Sequence, residues 1–228
     1  MSTHPRARRL ARSLAPLPLV AALALGAASC SGEDDTTASD VPSGPTVTCD
    51  YPADGDAAKD VAKPPAEASS AGTVAATIAT SAGDIGVQLD AGATPCTVNS
   101  FLSLADQGYF DDTRCHRLTT QGIFVLQCGD PTGTGAGGPG YSFKDELSGK
   151  ETYGAGTLAM ANAGPDTNGS QFFIVYDDSQ LPPAYTVFGR IDDQGLEVVR
   201  GVASAGTDNG SGDGAPATPV TIESVTTG

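Results

Sequence analysis

The histidines, cysteines, serines and arginines of this sequence stand at spacings that exclude more chemistries than they permit. Only two imidazoles occur in 228 residues, His4 and His116, so one chain cannot assemble a multi-histidine zinc or copper centre. Cys30, Cys49, Cys96, Cys115 and Cys128 form no Cys-x-x-Cys pair, which disfavours a zinc ribbon and a thioredoxin-like redox motif. Ser170 lies in Asn-Gly-Ser-Gln, without the Gly-x-Ser-x-Gly elbow of serine hydrolases. Gly133-Thr-Gly135-Ala-Gly-Gly138 has dinucleotide-loop spacing, yet Pro139-Gly140 follow at once and leave no helix N-terminus for a pyrophosphate. It reads as a flexible surface loop. Three segments remain: Cys115-His-Arg-Leu118 with Gln127-Cys-Gly-Asp130; Met160-Ala-Asn-Ala-Gly-Pro-Asp-Thr-Asn-Gly-Ser-Gln-Phe-Phe173; and Tyr185-Thr-Val-Phe-Gly-Arg190. The second is long and polar, and strand periodicity does not account for it.

Short strands must position these segments. Residues 73–80 and 85–90 alternate apolar and polar around the turn signal Ser81-Ala-Gly-Asp84 and read as an opening hairpin. Pro95, Val98, Phe101, Leu102 and Ala105 have helical spacing, with Gly108 where a helix stops. Further strand-like runs are 114–118, 123–127, 157–161, 171–176, 186–191 and 219–225, and a second helix fits 195–203 through Leu196, Val198 and Val199. Many short strands, few helices and abundant glycine predict a closed barrel or a sandwich. Asn168-Gly-Ser170 and Asn209-Gly-Ser211 match the glycosylation sequon but read as turns.

The first thirty residues read as an address. Residues 1–13 are basic, 14–28 are almost wholly apolar, and Ala27, Ala28 and Ser29 lead into Cys30, the pattern of a secretory signal. The apolar run is too short for a spanning helix of about 20 residues. The segment resembles a bacterial lipoprotein signal over residues 1–29, with Cys30 as the lipidated residue, although Ala27 stands where that family prefers leucine. Ordinary cleavage and secretion is the alternative. Residues 30–72 are rich in Ser, Thr, Asp, Ala, Pro and Gly, too poor in aliphatic clusters to offset ordering entropy, and read as an acidic low-complexity tether. Without Arg6, Arg8, Arg9 and Arg12, 8 basic residues face 27 acidic ones, and the balance moves from −15 to −19. Such a surface repels phosphate backbones, so nucleic-acid binding is a poor expectation, and it favours a soluble monomer.

From about Thr73 to the C-terminus, the three segments together resemble the cyclophilin family of peptidyl-prolyl cis/trans isomerases. The resemblance implies a mainly β fold over 73–228, an eight-stranded antiparallel barrel closed at its ends by two helices, with a peptide groove on its outer wall. It implies that Arg117 is the catalytic arginine and that Phe124, Phe173 and Leu181 wall the proline pocket. Gln127, Ala161, Asn162 and Gln171 then supply polar and backbone contacts, and Tyr185 stands where many members have histidine. No cofactor or metal is implied. Clients would be proline-containing polypeptides, and the address places the enzyme outside the cytoplasm, anchored in the cell membrane by a lipid. A tethered binding module without turnover is the second reading, and a structural or adhesive surface domain the third, which leaves Met160–Phe173 unexplained.

Two departures bear on this. Gln127 follows Arg117 by ten positions, two more than in eukaryotic members, so 118–122 is expected as a longer turn. Tryptophan is absent, and Gln180 occupies the position where cyclosporin-sensitive members carry an indole, which implies weak cyclosporin binding. Four cysteines besides Cys30 suit two disulfides in an exported chain. If Arg117 and Gln127 face each other across a hairpin, Cys115 and Cys128 point to opposite faces. That disfavours a bridge between them and leaves Cys115 to pair with Cys49 or Cys96.

Overall fold

The structure, a computed structural model, describes residues 44–228. The signal segment, Cys30 and the first part of the expected tether lie outside the described residues. In chain order the elements are β1 (Thr46–Thr48), β2 (Ala53–Ala57), β3 (Glu67–Ser69), β4 (Val74–Thr80), β5 (Gly83–Leu89), α1 (Pro95–Asp106), β6 (Thr113–Arg114) and β7 (Arg117–Thr119). They continue with β8 (Val125–Cys128), β9 (Pro139–Tyr141), β10 (Thr157–Met160), β11 (Phe172–Val175), β12 (Val187–Ile191), α2 (Asp193–Ser204), β13 (Asp213–Gly214) and β14 (Thr221–Thr227).

The expected hairpin forms as β4 and β5, in register from Val74↔Leu89 to Thr80↔Gly83. Gly83 has φ 131°, a region that only glycine enters at low cost. Alternation then buries Ala76 and Ile78 on one strand and Ile85, Val87 and Leu89 on the other. Helix α1 begins with Pro95 in its first turn and buries Val98, Phe101, Leu104 and Ala105. Phe101 packs against Phe110, Phe172 and Phe188 with ring centroids 5.1–5.6 Å apart, joining the helix to the sheet. Helix α2 is capped by Asp192, whose side chain accepts from the Gly195 N–H at 2.6 Å. A Cβ on Gly195 would lie 2.7 Å from Ile85 Cγ2, so glycine allows the helix to rest directly on β5.

Ten strands form one sheet in the order β13-β7-β8-β11-β10-β12-β5-β4-β14-β6. It curls but does not close by hydrogen bonding as the expected eight-stranded barrel would. The reason lies in residues 113–119. Thr113 and Arg114 pair with Ile222 and Thr221 on β14, whereas Arg117 and Leu118 pair with Gln127 and Leu126 on β8. One chain segment thus serves two distant parts of the sheet, and its break falls at Cys115 and His116.

That break corrects the expected disulfide pattern. The Arg117↔Gln127 register is the expected one, but the Cys115 N–H donates to Val220 O at 2.9 Å, so Cys115 follows β14 and strand alternation is not carried across His116. Cys115 and Cys128 both turn into the core, with Cα atoms 4.0 Å apart, and form a disulfide. The other bridge is Cys49–Cys96, with Cα atoms 5.5 Å apart.

Residues 45–72, expected as part of the tether, instead include three short strands joined to the rest of the fold. β1 pairs with β3 from Thr46↔Ser69 to Thr48↔Glu67, and β2 pairs with β9. Cys49 is bonded to the first turn of α1 through Cys96. Tyr51 is only 6% exposed, meets Tyr141 and Phe143 edge-on, and donates its hydroxyl to Cys96 O at 2.8 Å. One buried aromatic and one disulfide supply what the surrounding polar composition lacks.

Candidate active site

Strand alternation divides the sheet into two faces. Leu126, Leu158, Phe172 and Phe188 enter the main core, whereas their neighbours Val125, Ala159 and Phe173, with Tyr153 and Val175, form a smaller cluster on the opposite face. Across that face runs a row of cross-strand partners: Arg117 opposite Gln127, Gln127 opposite Phe173, and Phe173 opposite Ala159. Residues far apart in sequence are thereby brought side by side.

A cavity of about 180 Å³ opens over this row, lined by Arg117, Gln127, Ala161, Asn162, Phe173, Leu181 and Tyr185, together with Ile123 and Val125. Its aromatic wall is held by packing and by hydrogen bonds. Phe173 and Tyr185 meet edge to face at 5.6 Å. The Tyr153 hydroxyl donates to Tyr185 O and accepts from the Tyr185 N–H, both at 3.0 Å. Asn162 Nδ2 donates to Ala184 O at 2.9 Å, which ties the rim carrying Leu181 and Tyr185 to the Met160–Phe173 block.

Seven of the nine residues expected at the site meet around this cavity. Phe124 does not. Its ring packs edge-on against Tyr176 at 5.9 Å, and its backbone N–H donates to Ser179 Oγ at 2.8 Å. The physical reason is the period of two: counting back from Gln127, the positions that share its face are Val125 and Ile123. Gln171 stands one step away, where it accepts from Gln127 Nε2 at 2.9 Å and donates to Gly135 O and Gly137 O at 2.9 and 3.0 Å.

Gln171 lines a second cavity of about 440 Å³, which shares Ala161 and Asn162 with the first and is bordered by Asp54, Asp56, Gly137, Tyr141 and Thr167. One wall is the glycine-rich loop, and it is not merely a flexible surface loop. Asp130 is fully buried and accepts from the backbone N–H groups of Thr132, Thr134, Gly135 and Gly137 at 2.7–3.1 Å, and from the Thr132 hydroxyl. A Cβ on Gly137 would fall 2.0 Å from Asp130 Oδ1. Burial pushes the Asp130 carboxyl up, but these hydrogen bonds outweigh it and hold the pKa below the ordinary aspartate value.

Arg117 is the cation of the site. Its Nε and Nη2 donate to the two carboxylate oxygens of Asp213 at 2.9 and 2.7 Å, and its Nη1 donates to Gln127 Oε1 at 3.3 Å. The hydrogen bond to Asp213 raises the arginine pKa and lowers that of the aspartate. The pair is half-exposed, with side chains 40% and 56% accessible, so it adds only about 0.2–1 kcal/mol of stability. His116, the residue before it, has its pKa lowered, chiefly by burial. Among the described residues no group of three His, Cys, Asp or Glu side chains could hold a metal. Asp213, Ile123, Val125 and Tyr153 were not expected at the site. Only Ile123 and Val125 left a signal in the sequence, through alternation.

The site thus joins an arginine and two amides to the aromatic and aliphatic side chains of one cavity on the face of the sheet opposite the main core. Residues 75–227 match the family described as cyclophilin type peptidyl-prolyl cis-trans isomerase/CLD. The chain belongs to that family. It is 51% identical over 195 residues to the probable peptidyl-prolyl cis-trans isomerase B of Mycobacterium leprae, covering 78% of this chain and 66% of that protein. It is 54% identical over 165 residues to the same-named protein of Mycobacterium tuberculosis H37Rv, covering 67% and 54%. The chain thus spans just under two thirds, and about half, of the lengths of these two relatives. A crystal structure of a Cryptosporidium parvum cyclophilin type peptidyl-prolyl cis-trans isomerase superposes with a TM-score of 0.61 at 33% identity, covering 69% of this chain and 98% of that one. A second Cryptosporidium structure, in the presence of the dipeptide Ala-Pro, gives 0.59 at 34% identity, covering 68% and 98%.

Proposed function

We propose that this protein is a peptidyl-prolyl cis/trans isomerase that accelerates rotation about Xaa-Pro bonds in exported polypeptides. The observation that carries the reading is the row Arg117, Gln127 and Phe173 beneath the cavity they line with Val125 and Leu181. An Xaa-Pro bond resists rotation because amide resonance gives its C–N link double-bond character, with a barrier of about 18–20 kcal/mol. As the bond twists, the proline nitrogen pyramidalises and its lone pair becomes a hydrogen-bond acceptor. A guanidinium N–H that meets this lone pair is bound more strongly in the twisted state than in the planar one, which is the condition for acceleration. Arginine remains charged at any physiological pH. The walls formed by Val125, Phe173 and Leu181 grip the ring while Gln127 and Asn162 steer the moving side. No proton leaves and no covalent intermediate forms.

The relatives' names and the Ala-Pro dipeptide of the second Cryptosporidium structure support this reading. Export is supported by the basic-then-apolar leader before Cys30 and by the two disulfides, which persist in oxidising compartments. In this reading Cys30 carries the lipid, and the acidic monomer assists folding outside the cytoplasm. Refolding of a small secreted protein limited by a cis-proline tests the function. The slow phase should accelerate in proportion to added protein, and an unchanged phase with retained peptide binding would favour the binding module. Labelling with a radioactive fatty acid tests the anchor, and no label on wild type, or label unaffected by Cys30→Ser, would refute it.

A further inference from the structure

We propose that Asp213 is a positioning residue that orients the Arg117 guanidinium toward the proline cavity, an inference that rests on the isomerase reading above. The two side chains meet fork to fork, with Nε to Oδ1 at 2.9 Å and Nη2 to Oδ2 at 2.7 Å. This bidentate geometry fixes the plane of the guanidinium as well as its place. Gln127 Oε1 takes a third N–H through Nη1. Of the five N–H groups of an arginine, that leaves one on each terminal nitrogen for a ligand. Without the carboxylate, a half-exposed arginine would be free to sample other rotamers, and the population aimed at the cavity would fall.

The carboxylate is itself held by an element with no other evident task. β13 contains only Asp213 and Gly214, yet it pairs with Thr119 and Leu118 on the strand that begins with Arg117. The ladder is extended by Thr120 N–H to Gly212 O at 2.9 Å. Behind it, Asn209 Nδ2 and Ser211 Oγ both donate to Asp213 O, at 3.1 and 2.6 Å. Asn209 Oδ1 accepts in turn from the Ser211 N–H at 2.8 Å and from Thr207 Oγ1 at 3.0 Å. A Cβ on Gly214 would lie 2.6 Å from Asn209 Nδ2, so the loop is drawn tight around that amide. Every backbone contact of the loop fixes where the Asp213 side chain starts, while the side chain itself has Arg117 as its partner.

The test uses the chain with both disulfides formed, an Ala-Pro peptide, and the variants Asp213→Asn and Asp213→Ala. The asparagine keeps the shape but can accept only one of the two N–H groups. Both variants should lower kcat/KM about tenfold, with peptide affinity changed by no more than about twofold and the thermal midpoint unchanged. The Arg117 Nε–H resonance, assigned by its loss in Arg117→Lys, should exchange slowly in the wild type and rapidly in the variants. Wild-type or higher activity in both variants, with the wild type active, would overturn the positioning role and leave the isomerase reading intact. Equal losses of affinity and thermal midpoint would overturn it in favour of a structural role. An inactive wild type would remove the isomerase reading and this inference with it.

Discussion

Gln127 Nε2 donates to Gln171 Oε1 at 2.9 Å, and this bond joins the smaller cavity, lined by Arg117 and Phe173, to the wider one beside it. Gln127 also accepts from Arg117, and Gln171 also donates to the glycine-rich loop. A continuous polar chain therefore runs from the guanidinium to the loop held by Asp130. A peptide lying across the sheet would meet its cation, its amides and its loop wall as one connected unit.

The loop end of this chain has a stated pH dependence. The Asp130 pKa is held below its unfolded value, so its contribution to stability is fully present above the unfolded aspartate pKa and is lost as pH falls through the folded one. Asp130→Asn presents an NH2 group to backbone donors and leaves some unsatisfied, which should cost about 1–3 kcal/mol at neutral pH. Urea unfolding of wild type and variant should show a gap at pH 7 that narrows in acid. A gap that is constant with pH would contradict the ionised cage.

The exchange of Phe124 for Val125 in the site predicts a separation of effects. Phe124 packs on Tyr176 and Val125 faces the cavity. Phe124→Ala should lower the unfolding midpoint with little change in peptide affinity, and Val125→Ala should weaken peptide binding several-fold. Titration of an Ala-Pro peptide followed by NMR checks both. Stronger loss of binding in the Phe124 variant would return that ring to the pocket.

How much of this was legible follows the strength of local signals. β4, β5, α1 and α2 were readable because each carries a period of two or of 3.6 with a turn or cap beside it. β1, β2 and β3 were not, because their residues are mostly exposed and their place is set by Tyr51 and the Cys49–Cys96 bridge. The two-residue β13 lies below any sequence pattern, and with it Asp213. The Cys115–Cys128 bridge was missed because alternation was extended through His116, where the chain leaves one ladder for another. Phe124 was placed by resemblance where counting from Gln127 would have chosen Val125. Asn162 and Phe173 stood out because the Met160–Phe173 block is too long and too polar for generic strand or helix patterns, whereas Arg117 was named through the resemblance.

Gln180 is exposed at the rim beside Leu181, and the chain has no tryptophan. The indole donor that cyclosporin-sensitive relatives offer the drug is therefore missing, while the cavity walls remain. Cyclosporin should inhibit turnover only weakly, and Gln180→Trp should strengthen inhibition. Low-nanomolar inhibition of the wild type would contradict this.

The central claim is that Arg117, set by β7 opposite Gln127, lowers the barrier to rotation about an Xaa-Pro bond. Its most direct test is cis/trans exchange of an Ala-Pro peptide measured by NMR with the wild-type chain and with Arg117→Ala. Wild type should bring exchange from the uncatalysed scale of about tens to hundreds of seconds into the range that broadens or transfers magnetisation between the two isomers. The variant should bind the peptide and lose most of that acceleration, by a factor on the order of 10² or more. A folded wild-type chain that binds the peptide without speeding exchange, or a variant as fast as wild type, would contradict the account.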